Sequence, residues 1–207
     1  MPRRGIELKL AFASNKGGVG KTTLAINVAS FQSQSRPMTL YDADPQRSSL
    51  HWSSIRESNS NLAVESFSEQ DRYAKHAVFD CPPAIHHPDT LAVLRVADVV
   101  LIPVLPSPLD LWATLAVAKE IQRAQLGNNK LQAFLVLNQM ESRSRLSRET
   151  KEVLESLEIS ALETSIQRRV IYRNAILDGR DVNQSGKGAI AASLEITHLI
   201  KEIQSKR

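Results

Sequence analysis

With 207 residues, 42% of them hydrophobic and 23% charged, the chain has room for one α/β domain with a sizeable core and the composition of a soluble globular protein. Its single cysteine, Cys81, excludes an internal disulfide framework and a cysteine-ligated iron–sulfur cluster, which needs two per chain even when shared by a dimer. A formal net charge of +4 is modest for a dedicated DNA binder, and the longest apolar region, "LAVLRVADVVLIPVL", is broken by Arg95 and Asp98, so no segment reads as a membrane span.

In chain order, "MPRRGIELKL" carries charge but lacks the apolar centre of a signal peptide, which predicts a cytoplasmic protein. "LKLAFAS" is an apolar run of strand length, and "TTLAINVASFQSQ" spaces Leu24, Val28 and Phe31 at helical intervals. Between them lies the glycine-rich "SNKGGVGKTT". The runs "MTLYD", "HAVFD", "DVVLIPV" and "LQAFLVLN" have the composition of buried parallel strands. "PSPLDLWATLAVAKEIQRAQLG" opens with prolines and Asp110 and closes at Gly127, a helix with its start and stop signals. Trp52 and Trp112 fall in helical patterns, as packing or dimer-contact residues. At the end, "SLEITHLIKEIQSKR" places Ile196, Leu199, Ile200 and Ile203 on one apolar stripe. Packing on the core is its commoner fate, and a membrane surface the rarer one, since no bulky aromatic marks the stripe. The alternation predicts one domain over residues 1–207: α/β, with a mostly parallel, doubly wound sheet and helices on both faces.

Three observations point to phosphate chemistry. Gly20, Lys21 and Thr22 close a strand–loop–helix phosphate-binding pattern, in which backbone N–H groups and the helix N-terminus face an anion while the lysine and hydroxyl serve phosphate and Mg²⁺. Asp42 and Asp80 end two predicted strands, with Asp44 close behind. Any one of them alone reads as a turn or helix cap, but three beside a phosphate loop with Thr22 predict a nucleotide–Mg²⁺ site. The loop also departs from the ordinary pattern: Asn15 stands where glycine is expected, and Lys16 adds a second cation ahead of Gly17 and Gly18.

Other polar groups carry less. Cys81 has no identifiable base, and adjacent His86 and His87 lack the spaced partners of a zinc site. "SRSRLSR" (Arg143, Arg145, Arg148) and "QRRVIYR" (Arg168, Arg169, Arg173) each hold three arginines and no acid, which fits either a DNA-facing patch or solvated helix faces.

"KGGVGKTT", "DADPQ", "DCPP", "LIPVLPSPLD" and "SIQRRVIYRNAILDG" together resemble the deviant Walker A ATPases that include the ParA plasmid-partition proteins and MinD, most of all the small ParA type without an N-terminal DNA-binding extension. The resemblance implies a P-loop NTPase fold, ATP and Mg²⁺ as cofactors, and ATP hydrolysis. It implies that Gly17, Gly18, Val19, Gly20, Lys21, Thr22 and Thr23 bind nucleotide, with Thr22 on Mg²⁺ and Asp42 and Asp80 supporting the metal through water. By the same resemblance Asp44 positions the hydrolytic water, Asn138 contacts adenine, and Lys16 reaches across an ATP-dependent homodimer to the partner's nucleotide. The basic segments would bind non-specific DNA, placing the protein on the nucleoid, with a ParB-like or other adaptor stimulating hydrolysis. The cargo expected first is plasmid DNA; the alternatives are a carboxysome or another protein cargo, a MinD-like membrane-associated division regulator, and a metabolic enzyme such as a cobyrinate-amidating protein. One departure is Arg47 after "DPQ", where many relatives carry glycine.

Overall fold

The computed structural model describes residues 8–57, 61–141 and 159–206. Six strands form one sheet: β1 (Leu8–Phe12), β2 (Met38–Asp42), β3 (Leu62–Ser66), β4 (His76–Asp80), β5 (Val99–Val104) and β6 (Gln132–Leu137), in the order β3-β2-β4-β1-β5-β6. Every pairing between them is parallel. The helices are α1 (Lys21–Ser33), α2 (Ser48–Ile55), α3 (Pro88–Leu94), α4 (Pro108–Gly127), α5 (Val170–Leu177) and α6 (Ile190–Ser205).

Alternation along the strands fills two cores. Leu8, Leu10 and Phe12 of β1 face the side covered by α1, α5, α6 and Trp52 of α2, whereas Ala11 and its neighbours face α3 and α4. A sheet covered on both sides needs apolar residues at nearly every strand position, which is why the strands read as continuous apolar runs. The fold is thus the doubly wound α/β type that the alternation predicts, and all its strands are parallel.

Ile196, Leu199, Ile200 and Ile203 are all buried on the first core, so this stripe of α6 is spent on packing. Among the described residues no helix is long and apolar enough to cross a membrane. Trp52 is likewise a core residue, its indole N–H donating to the Arg180 carbonyl at 3.3 Å. The edge strand β3 and the short helices α3 and α5 have no counterpart in the sequence reading, and only the helical pattern around Trp52 anticipates α2. Seven or eight residues show too little periodicity to stand out, and β3 is half exposed.

The arrangement delivers the carboxyl ends of the strands to one edge. β1 lies between β4 and β5, with Phe12 opposite Asp80, and Asp42 lies opposite Asp80 across the β2–β4 pair. Ligands on such sheets bind at this edge.

Candidate nucleotide and magnesium site

The loop Ser14–Gly20 leaves the end of β1 and turns directly into α1. Gly18 and Gly20 adopt φ of 75° and 94°, backbone that glycine enters without penalty, and at Gly20 a Cβ would collide with the Asn138 amide. Gly17 and Gly18 are exposed, while Val19 is buried beneath them.

Lys21 is buried at the start of α1, and its Nζ donates to Ser14 Oγ at 3.1 Å and to the Lys16 carbonyl at 3.0 Å. Burial lowers its pKa, against the pull of nearby Asp80, Asp44 and Cys81. A cation so placed at the rim of an N–H-lined loop is poised to exchange these neutral partners for phosphate oxygens. Lys16 behaves differently: its Nζ lies 3.2 Å from Asp110 Oδ1 in the first turn of α4, so the extra lysine is folded back on its own protomer. Asn15 also acquires a reason, since its Oδ1 accepts the Ile85 N–H at 2.8 Å and ties the phosphate loop to the segment after β4.

Asp42, Asp44 and Asp80 lie together at this edge of the sheet. Asp42 accepts from the N–H groups of Asp44 (3.1 Å) and Leu50 (3.0 Å), and burial raises its pKa. Asp44 is partly exposed, with Oδ1 accepting from the Gln46 N–H at 3.0 Å. Asp80 is fully buried, and desolvation followed by Asp42 pushes its pKa up to about 7, while Thr22, Ser49 and Lys21 favour the charged form. Its Oδ2 accepts from Ser49 Oγ at 2.9 Å, and its buried Oδ1 has no hydrogen-bond partner among the described residues.

An orphaned carboxylate oxygen beside a threonine hydroxyl suits a hard cation that takes oxygen ligands. Among the described residues no three His, Cys, Asp or Glu side chains are grouped to cage a metal, so a Mg²⁺ here would need further oxygens from water and phosphate. Sequence reasoning missed Ser49 and Gln139 as site residues and gave Asn15 no role. The only advance signals were a hydroxyl after "DPQ" and an asparagine displacing a glycine.

Arg47, the departure from the family pattern, holds φ 54° at the N-cap of α2, the left-handed conformation that glycine adopts freely. Cys81 is buried with its thiol pKa pushed far up by burial, and it packs in the second core. His86 Nδ1 lies 3.4 Å from Glu120, and His87 Nδ1 accepts from the Asp89 N–H to cap α3.

Next to the phosphate loop opens a cavity of about 120 Å³ bordered by Thr23, Asn138, Gln139 and, less expectedly, Arg168, Arg169 and Arg173. Asn138 Nδ2 donates to the Val19 carbonyl at 2.7 Å, and Gln139, at φ 56°, donates from Nε2 to the Gly18 carbonyl at 3.0 Å. Both amides therefore brace the loop while lining the cavity. Arg168 pairs with Glu141 at 2.9 Å, and Arg169 with Glu195 at 2.7 Å. The Tyr172 hydroxyl, itself pushed up by burial and Glu195, donates to the same carboxylate at 3.0 Å. The segment that reads as either a DNA-facing patch or a solvated helix face thus borders the pocket, with two of its arginines paired with acids. Arg143, Arg145 and Arg148 lie outside the described residues.

A glycine loop between the central strand and a helix, a buried lysine closing it and acidic strand ends beside it define the P-loop nucleotide-binding class, with the second lysine marking its deviant branch. The chain belongs to the CobQ/CobB/MinD/ParA nucleotide-binding domain family, which matches residues 10–182. It is 38% identical over 205 residues to the "maintenance of carboxysome distribution protein A" of Halothiobacillus neapolitanus, covering 94% of this chain and 95% of that protein. The protein of the same name from Gloeobacter kilaueensis is 31% identical over 206 residues, with 94% and 93% covered. In fold it is similar to the ATP complex of a Cyanothece McdA variant, at TM-score 0.73 and 18% identity, covering 96% of this chain and 97% of that one.

Proposed function

We propose that this protein is an ATPase that dimerises with ATP, binds nucleoid DNA without sequence preference and distributes carboxysomes as an adaptor stimulates hydrolysis. The observation that carries the cargo is the 38% identity, over nearly the whole of both chains, to a protein of carboxysome distribution. The plasmid cargo that the motifs suggested first has no comparable support. We take residues 1–207 as one functional domain, because α6 near the chain's end packs into the same core as α1.

In this reading the N–H groups of Gly17 to Thr23 and the Lys21 ammonium hold the phosphates, and the base enters the cavity beside Asn138. Thr22 would hold Mg²⁺ directly, with Asp42 and Asp80 acting through water; the cation would supply charge neutralisation at the phosphates when bound. Asp44, the most exposed of the three carboxylates, orients the attacking water. Lys16 leaves Asp110 and crosses to the partner's nucleotide, so that a complete site exists only in the dimer and assembly reports nucleotide state.

Deleting the gene in its own host while imaging fluorescent carboxysomes tests the reading. Carboxysomes should collapse from an even spread into clusters, and a Lys21→Ala copy should fail to restore them. Even spacing in the deletion strain would sink the cargo assignment.

A further inference from the structure

We propose that Ser49 is a positioning residue for Asp80, holding one carboxylate oxygen so that the other stays open toward the cation, and docking α2 onto the metal site. The inference rests on the nucleotide–magnesium reading given above.

Ser49 is the second residue of α2 and is fully buried, as is Asp80. The 2.9 Å hydrogen bond from Ser49 Oγ occupies Asp80 Oδ2 and fixes the carboxyl plane about the Cβ–Cγ bond. Terminal torsions of this kind are otherwise broad, so an untethered carboxyl would sample many orientations. Fixed as it is, the group keeps Oδ1 buried and unpartnered among the described residues, at the strand end shared with Thr22 and Asp42. Buried polar atoms are nearly always satisfied, so a structure that holds one open asks for a ligand there.

The same turn of α2 is fastened a second time. Asp42, opposite Asp80 in register, accepts the Leu50 N–H at 3.0 Å. Ser49 and Leu50 thereby dock the start of α2 onto both strand-end carboxylates. The turn Asp44–Arg47 lies between β2 and α2, so its placement follows from that docking. Ser49 links the turn that carries the water-orienting carboxylate to the group that supports the metal. A residue that merely filled space would need no hydroxyl.

The test uses the full chain with Ser49→Ala and Ser49→Cys, the second nearly preserving volume while replacing the hydroxyl with a weak donor. Calorimetry gives ADP affinity in EDTA and in excess Mg²⁺, and the ratio is the magnesium-dependent gain. Melting curves in EDTA establish that both variants are folded. Both should bind ADP in EDTA as wild type does, and both should lose about tenfold of the gain, the scale on which groups orienting a metal ligand act. Full gain in both variants, or a loss in alanine that cysteine repairs, would overturn the positioning role. Absence of any gain in wild type would overturn the magnesium reading itself, and this inference with it.

Discussion

Lys16 and Asp110 form an ion pair within one protomer, 3.2 Å from Nζ to Oδ1, with the carboxylate almost wholly buried and the lysine partly exposed. A lysine that serves the partner's nucleotide must first break this pair. An ion pair at this exposure is worth about 1 kcal/mol, and a dimer breaks two, so the cis contact should weaken dimerisation about thirtyfold. Asp110→Asn is expected to lower by that factor the protein concentration at which ATP drives dimers, as followed by analytical ultracentrifugation. Lys16→Ala should retain nucleotide binding as a monomer and lose the ATP dimer. An unchanged dimer in both variants would make Lys16 an ordinary loop lysine.

Lys21 and Asp44 separate binding from chemistry. Lys21→Ala removes a buried cation beside the phosphate loop and should weaken ATP binding about a hundredfold, the worth of roughly 3 kcal/mol of charge-assisted hydrogen bonding. Asp44→Ala should leave binding and the ATP dimer intact while turnover falls roughly a hundredfold or more. Normal hydrolysis by the Asp44 variant would remove it from the mechanism. Calorimetry and a phosphate-release assay give the two numbers.

How much of this was legible in the sequence follows from where the partners lie. The phosphate loop could be read because its work is done by backbone N–H groups within ten residues, and the aspartates because a strand end is a local feature. Ser49, Asn15 and Gln139 could not, because the groups they touch are 31, 70 and 121 residues away. The arginines show the converse failure. "QRRVIYR" contains no acid, but the acids that pair with Arg168 and Arg169 stand 27 and 26 residues away, at Glu141 and Glu195.

Arg47 offers a stability test. A non-glycine residue at φ 54° carries left-handed strain of roughly 1 kcal/mol, and the arginine side chain is exposed. Glycine removes the strain but loosens the unfolded chain, which offsets part of the gain. Arg47→Gly should therefore be neutral to about 1 kcal/mol more stable by urea unfolding, with turnover unchanged. A loss of turnover would show that the arginine itself acts at the Asp44 turn.

Asp80 predicts a pH dependence of the metal-free protein. Its folded pKa of about 7 lies above the ordinary 3.8, so between these values the folded state holds a proton that the unfolded state has released. Stability from this group is therefore present at acid pH, falls as pH rises toward 7, and levels off above it. The full difference is on the order of 4 kcal/mol. Asp42 and Lys21 are the charged groups facing it, one raising and one lowering the value. Asp80→Asn should thus gain stability over wild type in EDTA progressively from pH 4 to 7, measured by urea unfolding. A constant difference across that range would refute the shift.

The arginines beside the pocket require separate tests, because replacing all three at once would mix two effects. Arg169 is held by Glu195, which also takes the Tyr172 hydroxyl and the Gln167 N–H. Arg169→Ala leaves that largely buried carboxylate short of its cation and should cost roughly 1 to 3 kcal/mol of stability, with nucleotide affinity falling as the pocket wall loosens. Arg168 is tied to Glu141 by an exposed pair, worth no more than about 1 kcal/mol, so a phosphate can replace the carboxylate at little cost. Arg173 is exposed on the same segment. If this face meets DNA, Arg168→Ala with Arg173→Ala removes up to four phosphate contacts per dimer, two from each protomer. The slope of log affinity against log salt should then drop by about 3 to 4, equally on unrelated duplexes, because phosphate contacts carry no sequence information. Glu141→Gln should strengthen DNA binding by freeing Arg168 and removing a repelled charge. Titrations on two duplexes at several salt concentrations, with ATP and with ADP, measure all of this. A salt slope unchanged in the double variant would move the DNA contact off this face.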